Sequence, residues 1–283
     1  MCIRDSDGTA DKDADPWWKV DATAKAGVGV KVDKCLKVLW RSFCIEFDKS
    51  KDDIFSRTVR VADAGGPYDA GDDVADDLEG DGVQVTNPET NEDSGGTGRV
   101  PGLFDGNDAW VLSTGSIGDV PGGDSSFQAS TDRGVPGNAM LESLGGFPTY
   151  DATFVSMDVT PAGNRLRIEY LFATEEYPEW IGTGFNDVMG IFVNGENCAT
   201  VPGTSEAVSV NTINDQVNSE YFVDNLGSQV PTVMNGLTVP LTCTVPVTPG
   251  VPVEVLIGVA DSSDGVLDSA VALVDGGISS YDE

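Results

Sequence analysis

Residues 150–160 read YDATFVSMDVT, and Thr153, Val155, Met157 and Val159 fall on one face of that run if it is extended, because successive side chains of a strand point to opposite sides. The turn Pro161-Ala162-Gly163-Asn164 follows. Beyond it, Leu166, Ile168, Tyr170 and Phe172 line one face of a second run, with Arg165, Arg167 and Glu169 on the other. Two such runs joined by a turn predict an antiparallel pair. Outward from this core, residues 109–113, 188–193, 207–212, 237–245, 251–260 and 270–274 are further apolar runs, each bounded by Gly, Pro, Asn or Asp. One short helix is expected at 73–78. No amphipathic helix of three turns separates the runs and no fixed-period repeat is present. The pattern therefore predicts an all-β fold, a two-sheet antiparallel β-sandwich of jelly-roll-like form, rather than a parallel α/β sheet, a solenoid or a propeller.

Composition narrows the chemistry. The 283 residues carry 47 acids against 16 bases, a net charge of −31, and no histidine. Such an anionic chain repels nucleic acid and anionic membrane surfaces. Lacking histidine, it has no Ser-His-Asp or Cys-His catalysis, no His-ligated zinc and no histidine pH switch. The charge is also unevenly placed. Residues 1–60 hold 12 of the 16 bases and 11 of the 47 acids, leaving residues 61–283 with four arginines (Arg99, Arg133, Arg165, Arg167), no lysine and 36 acids. That break divides the chain into a leader or remnant of an upstream segment over 1–72, expected to be disordered and to pack poorly, and a β domain over 73–283. The alternative for the leader is a hairpin across 28–32 and 36–45. The opening MCIRDS resembles an adapter-derived peptide, so the true start and any signal peptide are expected to be missing. No apolar stretch approaches the roughly 18 to 20 residues a bilayer helix needs. Asp outnumbers Glu by 33 to 14, a balance expected of a protein kept soluble in concentrated salt.

Four blocks of the acidic part carry a family resemblance: LSTGSIGDVPGG (112–123), IEYLFATEEYPEWIGTGFNDVMGIFVNG (168–195), ATVPGTSEAVSVNTIN (199–214) and GVADSSDGVLDSAVALVDGG (258–277). In this order they resemble the choice-of-anchor L domain of prokaryotic surface proteins. The resemblance implies a secreted or cell-surface β-rich module, usually followed by one of several unrelated anchors, with no enzymatic activity assigned. Only ISSYDE follows Gly277, so the anchor is expected to lie outside this chain.

The chemistry to weigh is that of carboxylates. Asp261, Asp264 and Asp268 lie in DSSDGVLD between two apolar runs, where Gly265 permits a tight turn that gathers them. Glu175, Glu176 and Glu179 surround Pro178, and Asn186 with Asp187 stand at the entry to the next run. Acids gathered at strand ends repel one another, and calcium is the simplest neutraliser, bound with a dissociation constant on the order of 10⁻⁴ to 10⁻³ M. The plainer reading leaves them solvated, with Asp187 capping a turn and Asp268 bonding backbone amides. Tyr177, Trp180 and Phe185 offer an aromatic platform for glycans, although such residues more often belong to a core. A glycosidase would need paired acids in a cleft, which no spacing establishes. The turn Ser113 to Ser116 around Gly115 lacks the lysine of a phosphate cradle. Cys198 and Cys243 stand at the edges of apolar runs and are expected within disulfide distance, tying two strands; the alternative is a reduced, buried pair. Cys35 and Cys44 are a second candidate pair, with Cys2 left over. Together these readings anticipate a non-catalytic, calcium-stabilised adhesion or structural module at the cell surface, meeting a protein or glycan ligand. The runner-up is a carbohydrate-binding module.

Overall fold

The computed structural model describes residues 72–91, 94–104, 107–122 and 128–283, and the backbone of two strands nearer the start. The chain divides into two units, residues 1–63 and 64–283. In the first, β1 (Lys34–Val38) and β2 (Arg41–Ile45) form an antiparallel hairpin with Cys35 opposite Cys44. The expected hairpin of 28–32 with 36–45 is thus not the one formed: the chain turns within the expected second strand, and 28–32 lies outside the described residues. The rest of the leader, including Cys2, lies outside the described residues.

The second unit opens with α1 (Asp72–Leu78) and continues through β3 (Val83–Thr90), β4 (Thr97–Phe104), β5 (Asn107–Ser113), α2 (Ala139–Gly145), β6 (Thr149–Pro161), β7 (Arg165–Thr174), β8 (Val188–Val193), β9 (Glu196–Asn197), β10 (Phe222–Asp224), β11 (Gly236–Thr238), β12 (Leu241–Pro246), β13 (Val253–Ser262) and β14 (Ser269–Tyr281). One sheet has seven strands in the order β10-β11-β7-β14-β5-β4, with β12 also on β7; the other has five, β3-β6-β13-β8-β9. All ladders are antiparallel, so the fold is the two-sheet sandwich that the alternation predicts.

One expected pairing is wrong. β6 and β7 do not pair: β6 bonds to β3 and β13, while β7 bonds to β14, β11 and β12. The turn between them is an arch that carries the chain from one sheet to the other. Gly163 in that arch passes so close to Tyr281 that a Cβ would lie 2.4 Å from its carbonyl. Alternation tells which face is buried and is silent on the neighbour. Here the two apolar faces meet across the core instead of lying side by side. The run at 207–212 is likewise no strand, making only isolated bridges, and 237–245 breaks into β11 and β12 at Val239-Pro240.

The core between the sheets gathers Val155, Met157 and Val159 of β6, Leu166, Ile168, Tyr170 and Phe172 of β7, and Trp110, Ile191, Ile257 and Val271. The seven-stranded sheet is apolar on its outer face too, where Val111, Leu171, Ala173 and Ala272 pack under Val120 and Met234. On the outer face of the five-stranded sheet α2 lays Leu141 over Ala152, Val188 and Ala260. Asn138 caps that helix, its Oδ1 accepting from the Met140 and Leu141 amides, and Gly146 closes it at φ 74°. The outermost β3 and β4 are interrupted by Pro88, Pro101 and register shifts, devices that discourage pairing with another chain.

The Tyr170 hydroxyl is buried with no partner among the described residues, and burial pushes its pKa up. Removing an unsatisfied buried hydroxyl removes its desolvation penalty, so Tyr170→Phe is expected to be neutral or stabilising by up to about 1 kcal/mol. A denaturant midpoint lower than that of the parent would show that the hydroxyl has a partner in solution.

Candidate metal centre

Antiparallel order brings the end of β5, the start of β6, the end of β7, the start of β8, the end of β13 and the start of β14 to one end of the sandwich. Asp151, Glu175, Glu176, Asp187, Asp261 and Asp268 sit there, all buried to 2% exposure or less. Asp187 links the two sheets. Its Oδ1 accepts from the Ser262 amide (3.0 Å) and its Oδ2 from the Ser269 hydroxyl (2.6 Å). Asp268 Oδ1 accepts from the Thr131 amide (2.7 Å), while its carboxylate lies so close over Gly115 that a Cβ there would be 1.8 Å from Oδ2. Glu175 Oε1 accepts from the Ala129 amide at 3.3 Å.

Several oxygens have no donor. Glu175 Oε2, Glu176 Oε2, Asp268 Oδ2 and both oxygens of Asp261 are buried and unpartnered among the described residues. Burial therefore raises every one of these acids. Glu175 is pushed up to about 7, with Asp268 and Glu179 adding repulsion against the Ala129 amide. Glu176 is pushed up to about 9, with Asp187 and Asp264 adding to it. Asp268 is raised to about 6, the Thr131 amide and Arg133 opposing burial. Asp187 and Asp261 are both raised, by burial first; each also repels the other acids, and Thr114 offsets part of the penalty on Asp261.

Of the two expected groups, the loop triad is only partly assembled. Asp261 closes β13 and Asp268 precedes β14, both buried. Asp264 is half-buried, its Oδ1 accepts from the Val266 amide (3.3 Å), and the acids it acts on are Glu176 and Asp187. Asn186 accepts from the Asn211 amide at 2.8 Å, which closes a turn. Of the plainer reading, Asp268 does accept a backbone amide, whereas Asp187 caps no local turn and accepts from Ser262 and Ser269 on distant strands. Among the described residues, no three His, Cys, Asp or Glu side chains converge as a ready-made metal cage.

Two participants went unnoticed in the sequence. Asp151, at φ 46°, accepts from the Arg133 and Val135 amides (3.0 and 2.7 Å). The alternation that places Thr153 and Val155 inward places Asp151 with them, so a signal was present. The Arg133 guanidinium donates to the carbonyls of Thr114 (2.7 Å) and Asp151 (3.1 Å) and to the Thr153 hydroxyl. Gly96 makes room for it, since a Cβ there would be 2.2 Å from Nη1. The other arginines serve elsewhere: Arg99 on Asp77 and Asp275, Arg165 on Glu283, Arg167 on Glu169.

The aromatic platform is corrected in one member. Tyr177 is core, 1% exposed, donating to the Ile213 carbonyl and set edge-on to Phe222 at 4.9 Å. A tyrosine between two apolar loops and the sandwich end has more area to bury inward than outward. Trp180 is 40% exposed and meets Phe185 edge-on at 5.1 Å. Beside the acids, a pocket of about 520 Å³ is lined by Asp132, Asp151 and Asp264 with Tyr150 and Pro136. Cys198, just after β9, and Cys243 of β12 are joined as a disulfide with Cα atoms 5.3 Å apart, so the bridge staples one sheet to the other.

A disulfide-stapled, acid-rich β-sandwich whose loops carry the polar groups is the build of a surface-exposed module. The chain belongs to the choice-of-anchor L domain family, whose model matches residues 72–279, and so to a family of cell-surface modules. Comparison with curated proteins gives no match. Among the described residues no helix is long and apolar enough to cross a membrane.

Proposed function

We propose that this chain is a non-catalytic, secreted or surface-displayed module serving adhesion or surface structure, with calcium stabilising the acid-lined end of its sandwich. What supports the reading is the set of buried carboxylate oxygens without donors, headed by Asp261, in a domain with no lysine and with Arg133 as the guanidinium at that end. A hard cation that accepts six to eight oxygens, including waters and carbonyls, fits a donor set of carboxylates and loop carbonyls. The surface ligand on this reading is a protein or a glycan. The glycan-binding alternative rests on Trp180 with Phe185, since Tyr177 faces the core. The anionic surface suits a salty extracellular setting and argues against nucleic acid.

Thermal melts of the full chain at fixed ionic strength test the reading. Calcium at a hundredfold excess over its dissociation constant is expected to stabilise by about 2.7 kcal/mol through mass action. Magnesium, which demands tighter octahedral geometry, should do less. Equal midpoints in calcium and in chelator would leave these acids protonated or solvated.

A further inference from the structure

The buried acids divide into two groups by what their oxygens already hold. The extended segment 129–135 presents its amides alternately, and those of Ala129, Thr131, Arg133 and Val135 donate to Glu175, to Asp268 and to both oxygens of Asp151. The Asp268 and Asp151 amides donate back to the carbonyls of Ala129 and Val135 (2.9 Å each). Glu175, Asp268 and Asp151 thus act as the rungs of a ladder that pins a segment no strand pairs. The remaining acids take no amide from that segment, Asp187 accepting instead from the Ser262 amide and the Ser269 hydroxyl. Asp261, 1% exposed, has no partner on either oxygen, Glu176 has none on Oε2, and Asp187 lies between the sheets as the shared neighbour of both.

We infer that a single calcium ion is held by Asp261, Glu176 and Asp187, with Asp264 at the outer side, and that the expected ligand Asp268 instead pins the 129–135 segment. This rests on the calcium reading and assigns its ligands. No three of these side chains meet in a ready-made cage, so the ion draws them together. Glu176 Oε2 carries no hydrogen bond, and the Asp261 carboxylate has only the nearby Thr114 hydroxyl to attract it, so both can turn. Asp264 lies on the wall of the 520 Å³ pocket, so the outer member of the set is open to solvent.

The test is calorimetric titration of the chelator-treated full chain with calcium chloride, paired with melts at pH 8 with and without calcium. The parent is expected to bind one ion. Asp261→Asn and Glu176→Gln should weaken binding at least tenfold and remove most of the calcium-dependent rise in midpoint. In chelator, both should melt at or above the parent, because each exchanges an unpaired buried carboxylate for a neutral amide. Asp268→Asn should bind calcium within about threefold of the parent and expose the 129–135 segment to protease. Lost binding in Asp268→Asn with retained binding in Asp261→Asn and Glu176→Gln would overturn this assignment while leaving the calcium reading intact. No binding by the parent would overturn both.

Discussion

Loss of the inter-sheet disulfide, by reduction or as the Cys198→Ala/Cys243→Ala double variant, is expected to destabilise the domain by about 4 kcal/mol. The two cysteines lie 45 residues apart in sequence, and the chain-entropy relation gives roughly that value for a loop of this length. The bridge also closes the span from β9 to β12, which includes only the short strands β10 and β11 and depends on long loops for its order. For a domain of about 200 residues, 4 kcal/mol corresponds to a midpoint fall of roughly 8 to 16 °C. Melts with and without reductant, at constant calcium, measure it. A fall of less than about 2 °C would mean that sheet packing alone fixes this region.

With divalent cations chelated, the melting midpoint is expected to fall as pH rises from 5 to 8, opposite to ordinary acid denaturation. Glu175, Glu176 and Asp268 have folded-state pKa values of about 7, 9 and 6, above their usual 3.8 to 4.5, and Asp187 and Asp261 shift the same way. Between the unfolded and folded values the native state holds more protons than the unfolded chain. Stability therefore declines with pH across that interval. The penalty is absent below about pH 4 and complete only above about 9. Proton sharing and solvent screening discount the sum heavily. A drop on the order of 5 to 10 °C is expected even so, from a net loss of about 3 kcal/mol. Calcium should flatten the profile at neutral pH. A midpoint in chelator that is constant or rises over this range would mean that the acids are paired, and the electrostatic account of this end would fail.

The fold class was legible because alternation is a local signal: Val155, Met157 and Val159 of β6 and Ile168, Tyr170 and Phe172 of β7 are all buried. Sheet membership was not legible, because the choice between a hairpin and an arch at residues 161–164 depends on which distant strand reaches each edge. The helix α2 was missed because a seven-residue element spans barely two helical turns, too few to establish a period. Its start at Asn138 and stop at Gly146 were the readable marks. At the acid-lined end, the residue types and most positions could be read from the runs they close. What each carboxylate accepts was hidden, since the amides of 129–135 belong to a stretch without apolar periodicity. The Asn186 Oδ1 closes a turn, a use the sequence does not separate from ligating an ion. Tyr177 was misassigned because nothing local separates a buried ring from a binding one.

The place of β14, between β5 and β7 in the seven-stranded sheet, has a consequence for biosynthesis. Residues 107–113 and 165–174 both wait for a partner at 269–281, the last strand in chain order. At ordinary synthesis rates the interval between the emergence of β7 and β14 is about 5 to 20 s. During it the sheet has a gap at its centre and its core is open to water. Loop closures of this span are slow to form, so the nascent chain stays unfolded for longer than a local hairpin fold would. The order of the strands thus sets when this core can close, however early the other strands emerge.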